Sequence, residues 1–167
     1  MTVLAAQKTK DKIILGADKG AFYKNGFKKN GFNKIIKVND LIFSFTGPID
    51  ELQIFELYAS CRKPENNSIL GITKFFIDFQ KYCRLDLQID NNFKVEGHYF
   101  LVFDKKLFHY NSSVKEIKEN EFETDGAGFQ EAYMCMFLGF DVKTAIEKTI
   151  ECNIWTSGGV DIVEIDL

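Results

Sequence analysis

Threonine is the second residue of the chain, directly behind Met1. A threonine hydroxyl is a weak nucleophile until a base takes its proton. Once Met1 is removed, the α-amine of Thr2, with an ordinary pKa of about 7.7–8.0, is a base that requires no second side chain. With Met1 retained that amine is an amide, and the chemistry fails. Asp18 and Lys34 follow at equal intervals of sixteen residues. A cation a few ångström from an amine destabilises its protonated form and lowers its pKa, and a buried lysine needs an anion such as Asp18 beside it. Taken alone, both residues also fit ordinary surface charges at strand ends. The remaining reactive types are scattered: Cys61, Cys83, Cys135 and Cys152 form no C-x-x-C pair, and only His98 and His109 could join them. A zinc site needs clustered ligands at short spacing, so no metal or other cofactor is expected.

These residues must be positioned by a chain of 167 residues, which reads as one domain over 1–167. At 46% hydrophobic and 27% charged, with seventeen Phe, the composition is that of a globular protein with a substantial core. The net charge of −3 offers no basic field for nucleic acid. The apolar run at Met1–Lys8 is too short for a signal peptide, and no stretch approaches the ~20 apolar residues of a membrane span. Scattered cysteines without a secretory segment fit a reducing, cytoplasmic setting.

The hydrophobic patterning predicts strands at Thr2–Ala6 and Lys12–Ala17, joined through Lys8–Asp11, and at Lys34–Val38 and Leu41–Thr46. Between these pairs, Asn25-Gly26 and Asn30-Gly31 signal turns. Gly47-Pro48 followed by Asp50 and Glu51 predicts a helix start, with the acids favoured at its positive end. Leu52, Phe55, Tyr58 and Ala59 then recur at helical spacing. Ser68 caps a second helix with Ile72, Phe75, Phe76 and Phe79 on one face. Strands return at His98–Phe103, Leu107–Tyr110 and Val114–Ile117. Gly126-Ala127-Gly128 leads into a third helix that ends at Gly139, Asp141 caps a fourth, and Val160–Ile165 closes as a strand. Two amphipathic helix pairs need a sheet face each, which points to helices over two stacked sheets: an α+β, four-layer αββα sandwich.

This order, with several stretches of sequence, resembles the proteasome β-subunit and HslV-like family of N-terminal threonine peptidases, within the Ntn hydrolase superfamily. The stretches are Met1-Thr2-Val3-Leu4-Ala5-Ala6, Ile14-Leu15-Gly16-Ala17-Asp18, Lys34-Ile35-Ile36-Lys37-Val38, Phe45-Thr46-Gly47-Pro48-Ile49-Asp50, and Gly126-Ala127-Gly128 with the closing Ile154-Trp155-Thr156-Ser157-Gly158-Gly159. The spacing of Thr2, Asp18 and Lys34 matches that of their counterparts in the family.

The resemblance implies that Thr2 is the nucleophile, that Lys34 and Asp18 tune it, and that the Gly47 N–H is an oxyanion donor. Family members commonly carry a serine where this chain has Ala127, before Gly128. A proton relay here must then use water or another hydroxyl, Ser157 and Thr156 being the nearest matches, with Glu151 or Asn153 near the family's acidic position. Phe22, Phe32 and Ile36 fall in the segment that lines the primary substrate pocket and would favour an apolar side chain before the cut. The resemblance further implies a homo-oligomeric ring that encloses its sites and receives unfolded chains from an AAA+ ATPase. Two rival readings share the fold: a catalytically silent scaffold or binding subunit, and an amidase acting on a small molecule.

Overall fold

The structure, a computed structural model, describes residues 2–22 and 28–167, with the side chains of Phe22, Lys28 and Lys29 left aside. Met1 and the Asn25-Gly26 turn lie outside the described residues. Strands β1 (Val3–Lys8), β2 (Lys12–Asp18), β10 (Glu121–Gly126) and β11 (Val160–Asp166) form one antiparallel sheet in the order β10-β1-β2-β11. A second antiparallel sheet runs β5-β6-β7-β8-β9 through β5 (Ile35–Val38), β6 (Leu41–Thr46), β7 (His98–Phe103), β8 (Lys106–Asn111) and β9 (Ser113–Ile117). The two-residue strands β3 (Ala21–Phe22) and β4 (Lys28–Lys29) pair with each other between β2 and β5 in sequence.

The two faces of each sheet carry different residues because strand side chains alternate. On β1, Leu4 and Ala6 face inward and pack with Leu15, Ala17, Phe100, Val102 and Leu107, which is the layer between the sheets. Val3 and Ala5 face outward, against Ala132 and Met136 of α3 (Phe129–Phe137) and Val142, Ala145 and Ile146 of α4 (Val142–Cys152). The outer face of the second sheet, Phe43, Phe45, Tyr99 and Leu101, packs on α1 (Ile49–Cys61) and α2 (Ile69–Lys81). The result is the expected four layers, helices over two stacked sheets. Side-chain caps start two of the helices: Ser68 Oγ accepts from the Gly71 amide at 3.0 Å and Asp141 Oδ1 from the Thr144 amide at 2.7 Å. Five further residues, Tyr82–Asp86, prolong α2 as a π-helical turn.

Two features depart from the sequence reading. Strand β10 lies in a segment for which only the glycines after it and a helix were expected. Its run Glu121-Phe122-Glu123-Thr124-Asp125 has one large apolar residue, because β10 is an edge strand and buries little. Glu51 is not a solvated partner of the helix dipole. It is buried, and its carboxylate accepts from the amides of Glu96 and Gly97 and from the Tyr99 hydroxyl at 2.7 Å.

Phe55 is the centre of the α1–α2 layer. It is fully buried, with its ring centroid 4.5 Å from that of Tyr99, 4.9 Å from Phe43 and 5.0 Å from Phe79. Phe55→Ala should lower the unfolding free energy by about 3–5 kcal/mol, read as a shift of the urea midpoint at constant m.

Candidate active site

The site lies at the end of the sandwich where β1 begins, β2 ends and β6 ends. Thr2 precedes β1 and continues the alternation of Leu4 and Ala6, so it stands at the mouth of the inter-sheet layer, nearly fully buried. Strand β2 runs antiparallel to β1, with Leu4 opposite Ala17, which brings Asp18 alongside the start of β1. Lys34 precedes β5, and its carbonyl accepts from the Phe45 amide at 3.0 Å, locking it to the second sheet.

Asp18 is the hub. Its side chain is completely buried, and Oδ1 accepts from the Val3 amide at 2.9 Å and from Lys34 Nζ at 2.7 Å. Oδ2 accepts from the amides of Gly20 at 3.3 Å and Ser157 at 3.1 Å. One carboxylate oxygen therefore holds the Lys34 ammonium within a few ångström of the amide that follows Thr2. Burial lowers the Lys34 pKa below its ordinary 10.5, and the charge and hydrogen bond of Asp18 offset only part of that fall.

Thr2 and Lys34 line one small cavity of about 30 Å³ together with Gly20, Ala21, Phe32, Phe45, Gly47 and Ile49. Gly47 adopts φ +152°, and a Cβ there would crowd the Cα of Gly97 at 2.7 Å and the Phe45 ring, so no other residue fits this wall without strain. Phe32 lines the cavity. Ile36 does not: it packs against the α1–α2 core. The side chain of Phe22 lies outside what is described.

The sequence reading missed a second polar group at the same end. Asp125, the penultimate residue of β10, faces inward and meets both histidines of the chain: His98 Nδ1 at 2.8 Å and His109 Nε2 at 2.6 Å, from β7 and β8. This bridge ties the two sheets together where the apolar layer stops. Burial raises the Asp125 pKa, but the hydrogen bonds from His109 and His98 outweigh it and leave the carboxyl below the usual range. The available signal was the register of His109 opposite Phe100 once β7 and β8 pair. The partner strand β10 carried no such signal. Among the described residues no cluster of three or more His, Cys, Asp or Glu side chains could hold a metal ion.

No protein-family model and no curated protein sequence matches this chain. Solved structures do. The protein BPH of Thiobacillus denitrificans, in complex with epoxomicin, superposes with a TM-score of 0.83 at 16% identity, covering 99% of this chain and 98% of its own. A second structure of Thiobacillus denitrificans BPH superposes with a TM-score of 0.82. The eukaryotic HslV of Trypanosoma brucei gives a TM-score of 0.72 at 13% identity, with 99% of both chains covered. The chain has the HslV-type fold.

Within that fold the closing residues are arranged as follows. Ala127 is exposed, and its carbonyl accepts from Asn153 Nδ2 at 3.3 Å. The Gly128 amide donates to the Thr2 carbonyl at 3.3 Å, and a Cβ at Gly126, which has φ +89°, would strike that carbonyl. Ser157 reaches Asp18 through its amide, while its hydroxyl lies 3.5 Å from Asn30 Oδ1. The Thr156 hydroxyl is engaged by the carbonyls of Asn153 and Thr149. Asn153 is further held by Glu131 at 3.0 Å, and Glu151 pairs with Lys148 at the surface.

The Asp18–Lys34 pair gives a stability test. Asp18→Asn should cost about 3–5 kcal/mol at pH 7, since it leaves a buried ammonium without its counter-charge. Adding Lys34→Met should restore part of that loss. In the wild type the unfolded chain holds the Lys34 proton more tightly than the folded one. Stability should therefore rise as pH climbs from the lowered value toward 10.5, a gain that Lys34→Met removes. Chemical unfolding across pH checks all three; an Asp18→Asn variant as stable as the wild type would contradict the buried pair.

Proposed function

We propose that this chain is an N-terminal threonine peptidase that cleaves unfolded polypeptide inside a homo-oligomeric ring. The observation that carries this reading is the single oxygen of Asp18 that joins the Lys34 ammonium to the backbone beside Thr2, with Thr2 and Lys34 lining one cavity. With Met1 removed, the α-amine of Thr2 accepts the hydroxyl proton as the oxygen attacks the substrate carbonyl. The amine then returns that proton to the leaving nitrogen, and the acyl group passes from Thr2 to water. Lys34 favours the unprotonated amine and the developing alkoxide. The Gly47 N–H is the proposed donor to the oxyanion. On this reading Asp18 does not touch the substrate; it holds Lys34 in place.

The ring rests on the exposed apolar side chains of α3 and the turn after it, among them Tyr133, Met134, Phe137 and Leu138. A patch of that kind on one face is the mark of a surface that meets another chain. A cytoplasmic setting and an AAA+ ATPase that supplies unfolded chain belong to the same reading. So does the absence of a membrane role, and no described helix is long and apolar enough to cross a membrane.

One observation favours a silent scaffold instead: Ala127 supplies no hydroxyl, and that of Thr156 is spent on backbone carbonyls. A reagent separates the two. An epoxyketone offers two electrophilic carbons, and a free terminal threonine offers an amine and a hydroxyl to meet them. Intact-mass measurement after incubation with epoxomicin, whose complex is known for the similar Thiobacillus protein, should show one adduct per chain on protein lacking Met1. Thr2→Ala should show none. Loss of Met1 without labelling would favour the scaffold, as would retention of Met1 in the native host.

The cavity beside Thr2 also sets specificity. At about 30 Å³ the cavity is narrow, so an alanine or glycine before the cut should be preferred to leucine. Phe32 is partly exposed on the wall, and Phe32→Ala should shift the ratio of kcat/KM for leucine over alanine peptides upward by roughly tenfold.

A further inference from the structure

The cleft does not end at the Thr2 cavity. On the other side of Gly47 opens a second cavity of about 540 Å³, whose lining includes Thr46, Gly47, His98, Asp125, Gly126 and Phe129. Gly126 brings its wall against the nucleophile, since a Cβ built there lies 3.5 Å from the Cβ of Thr2. Gly47 is common to both cavities. An extended peptide lying along Gly47 with one side chain in the Thr2 cavity turns its next side chain to the opposite side, because successive side chains alternate. Both neighbours of that residue turn this way, and because the Gly126 wall stands against Thr2 we assign the cavity to the neighbour whose nitrogen leaves, the residue after the cut.

The chemistry of this lining is one-sided. Among the described residues it holds the carboxylates of Glu96, Glu123 and Asp125, the two histidines that bond Asp125, and no lysine or arginine. Glu123 is answered from outside by Lys115 at 2.9 Å. Asp125 is buried and oriented by His98 and His109, so it cannot swing away. Glu96 is exposed, and among the described residues no ion pair engages it. Phe129 stands half-exposed at the rim, a flat apolar surface for an aliphatic stem or a guanidinium plane.

We infer that this cavity is the leaving-group subsite and takes a cationic side chain, arginine or lysine, from the residue that follows the scissile bond. The inference rests on the peptidase reading for its placement in a reaction. The stem lies on Phe129, and the charged head is met by Glu96 and Asp125.

The test begins with binding, which needs no turnover. Arg-Ala-Ala-Ala and citrulline-Ala-Ala-Ala, each labelled at the C-terminus with fluorescein, are titrated against the Thr2→Ala protein and followed by anisotropy. Citrulline keeps the shape of arginine without its charge. The arginine peptide should bind roughly fivefold more tightly, as suits a partly exposed charge pair. Glu96→Gln, at an exposed position, should cut the ratio toward one, and so should Asp125→Asn. In wild type, kcat/KM for peptides that differ only after the cut should follow the same ratio. Equal binding of the two peptides, or an arginine preference unchanged in both variants, overturns the inference. An arginine preference in a protein that cleaves nothing would instead sink the peptidase reading and leave the cationic site standing.

Discussion

A carboxylate with no exposure to water organises this molecule. Removing such a charge from solvent costs several kcal/mol even after relaxation, and Asp18 recovers that cost through four donors drawn from distant parts of the chain: Val3, Gly20, Lys34 and Ser157. As a source of stability an ion pair of this kind is weak. Its value is positional. The start of β1, the end of β2, the approach to β5 and the turn before β11 belong to different elements, and each must deliver a donor to the same two oxygens. A sandwich whose sheets slid by one residue would leave an ionised group buried and unpaired.

The layer between the sheets shows why the polar chemistry sits where it does. Along β1 the inward positions are Leu4 and Ala6, and across the gap Phe100, Val102 and Leu107 fill the space those small side chains leave. At one end the same inward positions turn polar. Thr2 continues the row of β1, and Asp125, His98 and His109 continue the rows of β10, β7 and β8. The apolar row is fully buried and packed on both sides, the kind of support that a group held by geometry alone requires. Glu51 plays a similar part on the outer side: it fastens the Glu96-Gly97 backbone to α1, and Gly97 backs Gly47 closely enough to exclude any side chain there.

Much of this was legible in the sequence. Leu52, Phe55 and Tyr58 repeat at helical spacing, Ser68 and Asp141 announce their helices, and both helices formed where those residues placed them. The meeting of Asp18 with Lys34 was legible from their spacing only because a known fold supplied the distance between the strands. The Asp125 bridge was not legible. Its strand shows one large apolar residue, and Asp125 lies 27 and 16 residues from His98 and His109, in the other sheet. Their proximity depends on the stacking of two sheets, which no local pattern encodes. Glu51 misled for the same reason: a glutamate in a first turn reads as solvated until the backbone amides of Glu96 and Gly97 are seen to point at it.

The alanine at 127 is best weighed by what a terminal threonine already contains. On the proposed peptidase reading nucleophile and base are on one residue, so the first proton would travel within Thr2 by a path that does not depend on any other side chain. What a neighbouring hydroxyl adds is a faster passage of protons between that amine and the leaving group, typically a factor of 10²–10⁴ for positioned acid–base help. Its loss bears on rate. The buried cation at Lys34 bears on whether the amine is free to act at all, since no nearby group could substitute for a charge fixed at 2.7 Å from its carboxylate. Of the two features, the one this chain keeps is the one with no substitute in solvent, because water can relay a proton into an open cleft but cannot hold a positive charge inside a dry one.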